Sequence, residues 1–325
     1  MKKALILGIN GQDGSYLAEI LLEKGYEVHG VIRRTATCNT RNIEPILDRI
    51  QLHYGDLADP VSLYRIIAET KPREIYNEAD QDHAGISFQI PAYNYDITGA
   101  AVGRLLEIIR QIDSSIRFFQ PVTSNMFGQA PECPQNENTR FNPMNPYACA
   151  KAFAYNLSHM YREAYGMFVS VGIFYNHESP RRTEDYVTRK ITRSVAKIKG
   201  GLQDQLVLGD MSALIDWGYS KEYMEAAWSI MQLEKPDTFI IGTGEVHSVK
   251  EFVDEAFACV GLDPEKYVQS SQKFFRPAQN SVLQADISKA GQAFGFEPQV
   301  TFRKLVRIMI EHDLQDLGVE CAVKP

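Results

Sequence analysis

The stretch LGINGQDGSYLAEIL (residues 7–21) sets Gly8, Gly11 and Gly14 between a short apolar run and a segment of helical period. One glycine at a strand end lets the chain turn tightly. A second lets a pyrophosphate approach the backbone, and a third lets the following helix pack closely on the sheet. The helix start then presents free N–H groups and a positive dipole end to an anion. In a strand-loop-helix-strand context this spacing predicts a dinucleotide site.

The rest of the chain supplies that context. KALILG (3–8), YEVHGVI (26–32), IQLHYG (50–55), REIYN (73–77), IRFFQPV (116–122) and FVSVGIFY (168–175) are short apolar runs separated by longer helical-period segments. Such alternation predicts α/β class: a Rossmann doubly wound parallel sheet over residues 1–176. The rhythm weakens beyond residue 176, where a smaller mixed α/β substrate domain is expected over 177–325, with segments near 212–245 returning to the first domain. A cleft between the two parts is the expected binding site. With 325 residues and 44% hydrophobic residues the chain can bury a large interior. Its net charge of −7 argues against a nucleic-acid or membrane surface. Five scattered cysteines without C-x-x-C spacing fit a reducing cytoplasm, and the seven histidines give no metal signature.

An NAD site usually carries an acid about 20 residues after the glycines. Arg33 and Arg34 stand there instead, so NADP is favoured over NAD, two guanidiniums being suited to a 2′-phosphate. In NPYACAK (145–151), Tyr147 and Lys151 lie four apart, one turn along a helical face. An ammonium beside a phenol favours the phenolate and makes the tyrosine a usable base for a sugar or alcohol hydroxyl. The same spacing recurs at Tyr186 and Lys190, but only Tyr147 opens the helix that follows the fifth strand, whose end carries Thr123. Ligands of open α/β sheets bind at that edge. Arg181, Arg182, Arg189, Lys190 and Arg193 form a local basic cluster suited to a sugar diphosphate.

Together GINGQDGSYLAEILLEKGYEVHGVIRR, LHYGDL, NPYACAK, NHESPRR, VTRKITRSVAKI, DWG and TGEVHSVKEFV resemble the extended short-chain dehydrogenase/reductase family, and within it the GDP-mannose 4,6-dehydratase branch, over about residues 3–312. The resemblance implies an NADP-dependent enzyme acting on a GDP-linked sugar, assembled as a homodimer or homotetramer. It also implies that Asp56 faces the adenine and that Asn176, Val187, Lys190, Arg193 and Arg276 lie along the nucleotide sugar.

The pattern breaks where elimination would occur. Dehydration takes hydride from C4, removes the C5 proton with loss of the C6 hydroxyl, and returns hydride to C6. The family carries a glutamate two residues after its catalytic threonine for the middle step; this chain has Asn125. An amide is a poor proton acceptor, so acid–base help there should fall roughly 10²–10⁴-fold unless another group substitutes. The small apolar segment after the fourth strand is here NEADQDHAG, bringing Glu78, Asp80 and Asp82 to the site, and Ile215 replaces a basic residue before DWG. Val122 and Phe127 replace a serine and a tyrosine of the family pattern. Three readings stay open: C4 hydride transfer without elimination, as a dehydrogenase, reductase or epimerase; a dehydratase using Asp80 or Asp82; and a non-catalytic NADP- or sugar-binding partner. The first is the expectation, with Tyr147 as base, Lys151 as its electrostatic partner and Thr123 as hydroxyl anchor.

Overall fold

A computed structural model describes residues 1–36, 39–271 and 281–323. In chain order the first half contains β1 (Lys3–Leu7), α1 (Gln12–Glu23), β2 (Glu27–Ile32), β3 (Ile50–Tyr54), α2 (Pro60–Thr70) and β4 (Glu74–Asn77). There follow the short helices α3 (Ala84–Ser87) and α4 (Pro91–Asn94), then α5 (Ala101–Asp113), β5 (Arg117–Thr123), α6 (Pro146–Tyr165) and β6 (Val169–Phe174). Beyond them come β7 (Asn176–Glu178), α7 (Val187–Lys199), β8 (Leu206–Leu208), β9 (Leu214–Ile215), β10 (Trp217–Tyr219), α8 (Ser220–Gln232) and β11 (Thr238–Ile241). The chain closes with β12 (His247–Ser248), α9 (Val249–Val260), β13 (Val268–Ser270), α10 (Ser288–Phe294) and α11 (Phe302–Asp316).

Seven parallel strands form the main sheet in the order β11-β6-β5-β4-β1-β2-β3. Its central strands are buried on both faces, which is why they read as continuous apolar runs rather than alternating ones. Against one face α1 and α8 place Leu17, Leu21, Met224 and Ala227 in a shared core. On the other, Ile66 of α2 and Leu105 and Ile109 of α5 do the same. A third core joins α7, α9 and α11 through Val195, Phe257 and Met309. β11 and α8 thus lie with the large sheet although they follow α7 in sequence. No helix among the described residues is long and apolar enough to cross a membrane, and among them no cluster of three or more His, Cys, Asp or Glu side chains could hold a metal ion.

The strand order reverses next to β1, and the ends of β1, β4 and β5 open together at that point. Gly8 has φ +76°, a left-handed conformation that favours glycine. A Cβ on Gly8 would stand 2.8 Å from the Glu78 carbonyl oxygen, so the first turn lies directly against the loop after β4. One on Gly14 would stand 2.4 Å from the Gly8 carbonyl oxygen and 2.7 Å from Ile9 Cα. Helix α1 therefore approaches the sheet as closely as backbone allows. Replacing Gly14 with alanine is expected to lower stability by about 1–3 kcal/mol, because backbone rather than a flexible side chain must move. Thermal unfolding checks it; an unshifted midpoint would contradict that close approach.

Candidate functional site

A cavity of about 600 Å³ runs along the open strand ends. Its wall includes Gly8, Asn10, Gly11, Arg33, Asn39, Asn42 and Asp56, together with Thr123, Asn125, Tyr147, Lys151, Asn176, Tyr186 and Val187. Gly14 acts through packing, beneath that surface. The loop after β2 is tied over the glycines, since Asn10 donates to the Asn39 carbonyl at 2.9 Å and Asn42 to the Asn10 carbonyl at 3.2 Å. Arg33 lines the cavity and donates to the Tyr93 hydroxyl at 2.8 Å, whereas Arg34 donates to the Thr35 carbonyl. The glycine cradle and the Arg33 guanidinium are the groups able to hold a dinucleotide here.

Local sequence explains the tyrosine's placement. Thr123 is the last residue of β5. Asn145 caps α6 by accepting from the Ala148 amide at 2.8 Å, and Pro146 follows in the first turn, where its missing N–H costs nothing. Tyr147 therefore stands at the helix mouth, its backbone N–H donating to the Ser87 hydroxyl at 3.3 Å. Asn125 donates from both its backbone N–H and its side-chain amide to the Thr123 hydroxyl oxygen, at 3.2 and 3.1 Å. With that oxygen accepting twice, the Thr123 proton is left to be donated onward.

The electrostatics correct one expectation. Lys151 does not bring Tyr147 toward its phenolate form in this state: burial, then the charges of Asp80 and Asp82 and the neighbouring Tyr186, hold the phenol well above its ordinary value, and the Arg182 guanidinium offsets them only in part. The reason is that the Lys151 ammonium is engaged elsewhere, 2.6 Å from Asp80 Oδ2 and 2.9 Å from the Pro121 carbonyl oxygen, to which it donates. Burial pushes the Asp80 carboxyl up, an effect that Lys151 opposes and Asp82 and Asp13 reinforce. Glu78, in the cavity wall, is driven well above the ordinary carboxylate range by burial and by Asp13 and Asp80, with Lys151 opposing.

The basic cluster is divided. Arg181 and Arg182 line the cavity, Arg181 at 2.5 Å from Glu19 and Arg182 at 3.4 Å from Asp82 and 3.6 Å from Glu178, its guanidinium 3.4 Å above the Tyr186 ring. Arg189, Lys190 and Arg193 are not brought to it. Arg189 is paired with buried Asp313, Arg193 with Asp316 at 2.5 Å, and Lys190 donates to the Val207 carbonyl at 2.7 Å. The placement expected for Lys190 and Arg193 along a nucleotide sugar thus differs from this geometry, because the acidic face of α11 takes up the guanidiniums. Ile215 pairs with His247 across β9 and β12, and Phe127 is fully buried. Arg276 lies outside the described residues.

One part of the site is not visible in sequence spacing. Asp13, in the first turn of α1, lies 2.9 Å from His177 Nε2 and accepts from the Ser220 hydroxyl at 2.6 Å; His177 Nδ1 is 2.8 Å from the Tyr175 carbonyl oxygen. Gln12 donates to the His177 carbonyl and accepts from Ser179. The glycine loop is thereby fastened to the strand that carries Asn176. The polar residues of QDG and of NHES were the only signal available. Burial pushes Asp13 up, but the charge and hydrogen bonds of His177, the Ser220 bond and the Arg182 charge outweigh it and bring the carboxyl down to about 2. Burial pushes His177 down, but Asp13 and the Tyr175 carbonyl raise it overall.

Comparisons with known proteins show the family. The GDP-mannose 4,6 dehydratase family model matches residues 5–309. The chain belongs to this family. It is 49% identical to GDP-mannose 4,6 dehydratase 2 of Arabidopsis thaliana (97% of this chain, 87% of that one) and 44% identical to GDP-mannose 4,6 dehydratase of Homo sapiens (96% and 91%). In fold it matches the dTDP-glucose 4,6-dehydratase of Bacillus anthracis in complex with NAD, at TM-score 0.86 and 19% identity over 98% of both chains. It also matches RMD of Pseudomonas aeruginosa complexed with NADPH, at TM-score 0.83 and 20% identity over 97% and 100%. The expected short-chain dehydrogenase/reductase fold and membership of the dehydratase family are thus established.

His177 tests the fastening. A group whose value is raised on folding stabilises below its unfolded value and loses that contribution as pH rises through the folded value. His177→Gln is therefore expected to cost about 3 kcal/mol at pH 6 and less at pH 9, measured by urea unfolding across pH. A cost independent of pH would show that the imidazolium–carboxylate attraction contributes nothing.

Proposed function

We propose that this chain is an NADP-dependent enzyme of the GDP-mannose 4,6-dehydratase type that transfers hydride at C4 of a GDP-linked hexose and in which the elimination step is lost. The observation that carries this reading is the convergence of Thr123, Tyr147 and Lys151 on the cavity wall shared with the glycine loop, while Asn125 spends its amide on Thr123. A bound nicotinamide supplies the hydride acceptor or donor. Thr123 donates its proton to the sugar oxygen and fixes it against the phenol, and Tyr147 takes the hydroxyl proton when C4 is oxidised or gives its own when a C4 ketone is reduced. The aspartates that would replace the absent glutamate are engaged: Asp80 by Lys151 and Asp82 by Arg182. Arg33 in the cavity supports NADP, and Arg181 and Arg182, each paired with carboxylates at rest, are cavity-lining cations that a sugar diphosphate would have to draw from those partners. Assembly as a homodimer or homotetramer and residence in the cytoplasm belong to the same proposal.

Within it the reductive direction has a specific argument. Tyr147 is held protonated, which suits it to protonating a ketone oxygen rather than deprotonating an alcohol. NADPH should accordingly be consumed when the protein is given the 4-keto-6-deoxy derivative of GDP-mannose. Tyr147→Phe should lower that rate about 10²–10⁴-fold, followed by nicotinamide absorbance. Asn125→Glu should create or accelerate loss of water from GDP-mannose, read by product mass. Rapid water loss from GDP-mannose by the unmodified protein would contradict the lost elimination, and turnover unaffected by Tyr147→Phe would contradict the assigned base.

A further inference from the structure

Lys151 leaves α6 one turn after Tyr147, yet its ammonium is held 5.8 Å from the centroid of the Tyr147 ring. An ammonium has three N–H donors. Two acceptors are supplied by Pro121 at the end of β5 and by Asp80 in the loop after β4, and the two charged side chains are only 5% and 15% exposed. Such a withdrawn pair is strongly coupled, and whatever displaces one partner must satisfy the other. Asp80 also lies in the wall of the cavity that holds the glycine loop. The groups facing it and Tyr147 are Glu78, Asp13 and Asp82 on the acidic side, Lys151 and Arg182 on the basic side, with Tyr186 alongside.

We infer that Asp80 is a positioning residue that ties down the Lys151 ammonium in the ligand-free protein, so that a dinucleotide must compete with this carboxylate for Lys151 before the lysine can act on Tyr147. The inference rests on the functional reading above, in which a dinucleotide enters the cavity. It explains why two cavity-lining groups of the right type and spacing do not form an activated pair at rest. The phenol's elevation has Asp80 as its largest charged contributor after burial. Neutralising that one carboxylate therefore changes two properties together: the affinity for a dinucleotide and the proton affinity of the phenol.

Asp80→Asn removes the charge and keeps a side-chain oxygen beside Lys151. Two measurements are needed, neither of them turnover: the NADP dissociation constant by calorimetry, and the tyrosinate absorbance of the ligand-free protein against pH, with Tyr147→Phe as the blank that isolates this phenol. The expected result is NADP binding tighter by at least about fivefold, from the loss of a competing close charge, together with a downward shift of the Tyr147 titration. Asp80→Glu should restore both. Should Asp80→Asn unfold, as its melting curve will show, Asp80→Ser serves in its place. Unchanged or weaker NADP binding, or an unshifted phenol, in a folded variant overturns the inference while leaving the functional reading intact. A parent protein that binds no NADP overturns both.

Discussion

Everything at this site depends on how closely backbone can approach backbone where β1 ends. Gly8 turns against the Glu78 carbonyl and Gly14 against the Gly8 carbonyl, at separations no side chain could share. That contact lets α1 begin directly over the sheet edge, and it brings the loop after β4 to the cavity mouth. From there Asp80 reaches Lys151, and burial pushes the Glu78 carboxyl up. A parallel sheet gathers the ends of β1, β4 and β5 on one edge, so residues distant in sequence share one electrostatic environment.

That environment is richer in carboxyls than an anion-binding cavity would suggest. It is tolerable because several of them are paired, Asp80 with Lys151, Asp82 with Arg182 and Asp13 with His177, while burial pushes Glu78 up. Burial and the residual charges of Asp80 and Asp82 keep Tyr147 a phenol. At rest, then, the phenol keeps its proton and is not poised to take another group's. Asn125 acts in the same sense, since it offers an amide that donates to the Thr123 hydroxyl oxygen and no carboxylate to accept a proton.

How much of this sequence could be read depends on whether a feature is local. The glycine turn, the sheet and the placement of Thr123, Tyr147 and Lys151 follow from period, caps and strand ends, and these were legible. Asn145 and Pro146 fix the start of α6 within a few residues of the tyrosine they position. The direction of the Tyr147 shift was not legible, because it is set first by burial and then by Asp80 and Asp82, which the fold carries in from the loop after a different strand. The fate of Lys190 and Arg193 was hidden for the same reason: the carboxylates that claim Arg193 lie on α11, near the end of the chain, and Lys190 finds a backbone carbonyl on β8. Spacing marks which residues could meet a ligand, whereas the charges around them emerge only when the chain is closed.

The most direct test of the central claim uses GDP-mannose carrying deuterium at C4, incubated with the purified protein and NADP. If Tyr147, Lys151 and Thr123 support hydride transfer without elimination, deuterium is found on the reduced nicotinamide or back at C4, and the sugar retains its C6 oxygen. Deuterium at C6 of a product that has lost water would show that elimination proceeds despite Asn125, and would contradict the account.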